Sequence, residues 1–181
     1  MAKRPLPNMS NQKGLGELFS RLKFLFLAIV IYRIGTHIPV PGFDPDRLAE
    51  LFNQNQGTFL GFFNMFSGGA LERLSILALG VMPYISASII MQLLSATVPS
   101  LQQLKKEGDS GRRVINQYTR YGTVGLATIQ GTAMAVGFGS QGLAYETTPI
   151  FYAVAISSLV AGAVFLMWLG EQITERGIGN G

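Results

Sequence analysis

Apolar and polar positions divide this chain into long runs without Asp, Glu, Lys, Arg or His, separated by short charged connections. The longest run, Leu74 to Leu104, follows the pair Glu72 and Arg73. It exceeds the ~20 residues a helix needs to cross a bilayer, so residues 74–101 are predicted to span one. Ahead of it, Phe59, Phe62, Phe63 and Phe66 recur at helical spacing and predict a short helix. Ser67-Gly68-Gly69 break that helix, because two glycines remove backbone restriction and packing side chains together. A broken helix at membrane depth is tolerated only where it is buried in protein or lines a water-filled path. The stretch therefore predicts a pathway.

Three further spans follow from the same pattern. The run Phe24–Tyr32 predicts a first span over 23–38, with Arg33 snorkelling to the interface and Pro39-Val40-Pro41-Gly42 as the stop. Leu18, Leu22 and Leu25 share a helical face and predict a surface helix before it. The basic start resembles a secretory signal, but no small-x-small site follows and Arg33 interrupts the run, so a retained span is expected. Residues 39–61 form a connection in which Asp44 caps, Pro45 starts, and Leu48, Leu51 and Phe52 face the core of a short helix ended by Gly57. Pro83 is expected to kink the 74–101 span and Pro99 to mark its far end. Residues 102–116 read as a basic loop and 117–138 as a third span with Gln130 near its middle. A turn over 139–149 leads to a fourth span, 150–170, whose Ala153, Ser157, Ala161 and Gly162 admit a close neighbour and whose Trp168 anchors an interface. Residues 171–181 then begin another loop.

Composition sharpens this. The chain has 181 residues, of which 48% are hydrophobic and only 13% charged, with mean hydropathy +0.32. Globular domains are nearer a quarter charged. The net charge of +4 is sorted by side. Lys3, Arg4, Lys13, Arg21 and Lys23 precede the first span, and Lys105, Lys106, Arg112, Arg113 and Arg120 fill residues 102–120. Arg47 alone lies in 39–66, and 139–149 has no Lys or Arg. The positive-inside rule then puts the N-terminus (residues 1–22), the basic loop and the C-terminal segment in the cytoplasm. Charge is thus explained by orientation, and no aromatic platform interleaves 102–113 as a single-strand nucleic-acid binder requires.

Candidate chemistry is sparse. Without cysteine, and with His37 as the sole histidine, disulfides and thiolate or histidine metal clusters are excluded. No HExxH, GxSxG or intramembrane carboxylate pair is present, so neither an enzyme nor a cofactor is expected. Gly177-Ile178-Gly179-Asn180-Gly181 lacks a P-loop lysine and reads as a turn. Ser157 and Ser158 read as packing serines. Gln92 and Gln130 form either an interhelical hydrogen bond or a shared polar site beside a path. A secondary transporter with a broken helix is the alternative class, with Glu72 and Arg73 the only charges near the break.

The segments FNMFSGGALERLSI, ALGVMPYISASIIMQLL, KKEGDSGRR…QYTRYGT and FLMWLGEQITERGIGNG resemble the SecY family of protein-conducting channels, in order and across essentially the whole chain. The likeness is greatest to SecY of proteobacteria. It implies an all-α membrane protein: four transmembrane helices plus a short re-entrant plug helix, the N-terminal half of a ten-helix channel in the bacterial cytoplasmic membrane. The chain breaks off before a fifth span, so a fragment is expected. Phe62, Phe63, Asn64, Met65, Phe66, Ser67, Gly68, Gly69, Ala70, Leu71, Glu72 and Arg73 correspond to the plug that closes the pore. Val81 and Ile85, four residues apart, correspond to an apolar constriction ring. Ser86, Ile89, Gln92 and Gln130 correspond to the lateral gate through which signal sequences leave for lipid. Lys105, Lys106, Arg112 and Arg113 correspond to a loop facing the motor ATPase SecA. The resemblance also implies SecE, SecG, the translating ribosome and signal-bearing polypeptides as partners. Polypeptide as cargo rests on the resemblance alone.

Overall fold

The computed structural model describes residues 11–55 and 57–178. Lys3, Arg4 and Gly179-Asn180-Gly181 lie outside the described residues, as do the side chains of Lys13, Phe59, Phe63 and Phe66. Among the described residues there are seven helices: α1 (Asn11–Gly35), α2 (Pro45–Gln54), α3 (Phe59–Phe66), α4 (Met82–Thr97), α5 (Pro99–Lys106), α6 (Asp109–Ser140) and α7 (Pro149–Arg176).

α1 merges the expected surface helix and first span into one rod, because no proline or glycine interrupts residues 17–34. α2 is built as its caps dictate: Asp44 Oδ1 accepts from the amides of Asp46 and Arg47 at 3.0 and 3.4 Å, and Pro45 opens the first turn. It ends at Gln54, short of Gly57, and buries Leu48 and Phe52.

The expected single span over 74–101 is instead three pieces. Residues 74–81 are turns, with Leu74 and Gly80 at φ +40° and +59°. Pro83 does not kink a helix; it lies in the first turn of α4, where a missing N–H costs nothing. Val98 is extended (φ −89°, ψ 118°), as the residue before a proline prefers, and α5 leaves α4 at 97°. The 16 residues of α4 extend about 24 Å, less than the ~30 Å hydrocarbon thickness. The basic loop is also helical: α5 and the start of α6 occupy it around Gly108, at φ +75°. There α5 and α6 touch so closely that a Cβ on Gly111 would overlap the Leu104 carbonyl.

α4 packs on α6, α6 on α7, and α7 on α1. By length and composition, α7 alone among the described helices suffices to cross a membrane, with a window of mean hydropathy 2.3; α4 and α5 do so only as a bent pair. On α7, Ala153, Ser157 and Ala161 are exposed within this chain, whereas Ala155, Gly162 and Ala163 form the close-packed face. A Cβ on Gly162 would overlap the Ile76 carbonyl.

The ends of the bundle are sorted. At one end, Arg21 donates to the Gly177 carbonyl at 3.4 Å and Arg120 pairs with Glu171. At the other, Phe43 bridges Ala144, Arg47 donates to the Gly142 carbonyl at 2.7 Å, and Phe43 and Phe151 pack edge to face at 5.0 Å. The main core lies at this second end, around Val40, Leu48, Phe52, Leu74, Ala135, Leu143 and Leu159.

Candidate functional site

Three helices enclose an open cleft of about 580 Å³ at the Arg120–Glu171 end. α4 supplies Tyr84, Ile85, Ser88, Ile89 and Gln92, with Val81 at its N-cap. α6 contributes Asn116, Thr119 and Arg120, and α7 contributes residues from Leu166 to Glu175. The lining is graded along the helices: Val81, Ile85, Leu166 and Met167 come first on α4 and α7, whereas Gln92, Glu171 and Glu175 lie one to three turns further on, level with Asn116 and Arg120 of α6. Val81 and Ile85 are 46% and 43% exposed, too open for core packing within this chain. Their spacing places them one turn apart, with the Ile85 amide donating to the Val81 carbonyl at 3.0 Å.

The expected gate residues divide. Ile89 and Gln92 line the cleft, and Gln92 Nε2 lies 3.3 Å from Ser88 Oγ. Ser86 is half-buried and outside the lining. Gln130 is not brought to Gln92: it lies about four turns, or ~21 Å, along α6 from Asn116, which shares the cleft with Gln92. Antiparallel packing of α4 on α6 separates them, since Gly122 already faces Ala87. Lys105 and Arg112 line an adjoining cleft of about 300 Å³, while Lys106 and Arg113 are exposed outside it. Ser157 Oγ donates to its own helix, at the Val154 carbonyl, as a packing serine does.

The expected plug segment is helical only to Phe66. Its end is a Schellman motif: the Gly69 amide donates to the Asn64 carbonyl at 3.0 Å and the Gly68 amide to the Met65 carbonyl at 3.2 Å. Gly68 sits at φ +63°, the left-handed position this motif requires, and Gly69 follows at φ +82°. Ala70 and Leu71 turn into the core, fully buried, while Phe62 and Met65 are exposed. Asn64 and Glu72 pair reciprocally: Asn64 Nδ2 donates to Glu72 Oε2 at 2.9 Å, and the Glu72 amide donates to Asn64 Oδ1 at 3.0 Å. This carboxylate thus holds a turn and is not poised as an ion ligand. Arg33 does not simply snorkel; its Nη1 donates to the Gly68 carbonyl at 2.8 Å.

Sequence reasoning missed Tyr84, Asn116, Arg120 and Glu171 as cleft residues. The opposite charges of Arg120 and Glu171 on two neighbouring helices were the available signal.

The fold is similar to that of Sec61 in the canine ribosome-channel complex from the endoplasmic reticulum, with TM-score 0.60 and 17% identity, over 99% of this chain and 36% of that one. It is equally similar in kind to a structure described as showing that the plug domain of the SecY protein stabilises the closed state of the translocation channel (TM-score 0.58, 18% identity, 99% of this chain, 35% of that). The class is therefore the all-helical SecY/Sec61 channel architecture. At the level of sequence, the model of the SecY family matches residues 75–181. The protein translocase subunit SecY of Pseudomonas aeruginosa is 67% identical over 181 residues, all of this chain and 41% of that protein. The chain belongs to the SecY family and spans about two-fifths of the length of this relative.

Proposed function

We propose that this chain is the N-terminal part of the pore-forming subunit of a Sec translocon, moving unfolded polypeptides across and into a bacterial inner membrane. The observation that carries this reading is the graded cleft: an open groove whose lining passes from apolar to polar along the helices suits a sliding polypeptide better than a retained small ligand. α1, the α4 region, α6 and α7 form four spans, and α3 with the turns to Arg73 forms the plug. Val81 and Ile85 contribute to a ring that blocks ions by dewetting, because water columns are unstable between apolar walls. Ser86, Ile89, Gln92 and Gln130 lie along one side of the lateral gate.

The sorting of Arg21, the α5–α6 turn and Gly177 to one end supports a cytosolic N-terminus. Lys105, Lys106, Arg112 and Arg113 at that end suit docking of SecA. SecE, SecG, the translating ribosome and signal-bearing polypeptides complete the set of partners, with the bilayer around them.

Photo-crosslinkers in the full-length, reconstituted channel test this. With a signal-bearing cargo arrested in transit, crosslinkers at Ile85 and Ile89 are expected to capture it. Ile90 is 46% exposed but does not line the cleft, and should not. Capture at Ile90 alone, or at none of the three, refutes the pore assignment.

A further inference from the structure

The plug helix is short. Eight residues extend about 12 Å and are marginal as an isolated helix. Two of its apolar side chains, Phe62 and Met65, are 59% and 76% exposed. At its C-terminal end a set of polar contacts ties it down. The Schellman bonds satisfy the carbonyls of Asn64 and Met65, leaving those of Ser67 and Gly68 at the turn to take further donors. Both meet α1. Tyr32 donates its hydroxyl to the Ser67 carbonyl at 3.1 Å, and Arg33 donates to the Gly68 carbonyl, which takes no backbone N–H among the described residues.

α1 is suited to be the fixed partner. It is a continuous rod of 25 residues, Ala28 is buried, and Gly35 meets Leu77 so closely that a Cβ would overlap it. A guanidinium near a helix C-terminus also complements the partial negative charge of the helix dipole. The other side of the joint is loose by design, because glycine crosses between positive and negative φ at little cost.

We propose that Tyr32 and Arg33 form a catch that holds the plug seated, and that breaking these two hydrogen bonds frees α3 to rotate about Gly68-Gly69. Neither residue lines the pore; both act by positioning the plug. The inference rests on the reading of α3 as a plug.

The test uses the full-length channel complex reconstituted in vesicles, with Tyr32→Phe and Arg33→Gln combined, in the intact protein and in one lacking residues 62–69. Two quantities are read: resting ion current, and the labelling rate of Met65→Cys by a membrane-impermeant maleimide. In the intact channel the double variant should raise resting current by at least about tenfold, the shift that loss of the charge-assisted hydrogen bond alone brings to a two-state equilibrium. It should also speed labelling, and it should add nothing to the current of the deleted channel. Arg33→Lys, which keeps the cation but not the planar fork, should fall between, and serves if the double variant assembles poorly. Unchanged labelling overturns the catch. Equal current increments in both backgrounds overturn it too, because the contacts would then be bracing the walls. Deletion of 62–69 without any rise in current refutes the plug reading instead, while labelling still reports whether α3 is held.

Discussion

Arg120 and Glu171 meet across α6 and α7 as a two-pronged pair, Nε to Oε1 and Nη2 to Oε2, both at 2.8 Å. The geometry is the strongest an arginine and a carboxylate can adopt. Yet the side chains are 54% and 23% exposed, so water screens much of the attraction. A double-mutant cycle of Arg120→Gln and Glu171→Gln, read by thermal unfolding, should give a coupling of about 1 kcal/mol or less that shrinks with added salt. A coupling above about 3 kcal/mol, insensitive to salt, contradicts an exposed pair and indicates burial in the assembled protein.

Glycine 162 and glycine 125 make a sharper contrast. At Gly162 a methyl group would collide with the Ile76 backbone, whereas nothing lies within 4 Å at Gly125. Gly162→Ala should cost about 1–3 kcal/mol by overpacking and lower the yield of assembled protein. Gly125→Ala, in the open interior of α6, should gain up to about 1 kcal/mol from helix propensity. The same sign for both substitutions in melting experiments contradicts the packing described.

For Val81 and Ile85, partial exposure separates two roles. Serine at a buried aliphatic position costs a few kcal/mol. At these two it should cost little, because each already shows over two-fifths of its surface. Val81→Ser with Ile85→Ser in the full-length channel should assemble nearly normally and pass more ions in single-channel recordings. Poor assembly with no added current removes both residues from the pore.

Topology can be read with single cysteines, since the chain has none. Ser110 lies in the first turn of α6 and Ser140 is its last residue, both exposed. A 32-residue helix extends about 48 Å, enough to reach both faces of a bilayer. Cysteines at the two sites should label from opposite sides with an impermeant reagent. Labelling of both from one side rules out α6 as a span.

How much of this was legible depended on whether the signal was local. The Asp44-Pro45 start of α2 and the Gly68-Gly69 break are local, because caps and positive φ leave their mark in adjacent residues. The turns over 74–81 were not legible. Leu74 to Gly80 is as apolar as a helix core, and what keeps it unwound is tertiary: the strand-like bridge from Ser75 to Pro39 and the closeness of Gly162. The cleft was half legible. Ile85, Ile89 and Gln92 follow from spacing on α4, but Asn116 and Arg120 join them only through the pairing of α4 with α6. The same pairing sends Gln130 elsewhere, which no pattern along the chain could reveal.

The bridge between Pro39 and Ser75 has a mechanical consequence. The Val40 amide donates to the Leu74 carbonyl and the Ile76 amide to the Ile38 carbonyl, each at 2.9 Å, so the backbone is pinned a few residues beyond the glycine pair. A rotation of the kind proposed at Gly68 would meet this clamp by Leu74, before α4 begins. The moving arm is short and its pivot is fixed. If α3 is the plug proposed above, its displacement on one side of the clamp would leave the α4 wall on the other side undisturbed, uncovering a passage without reshaping it.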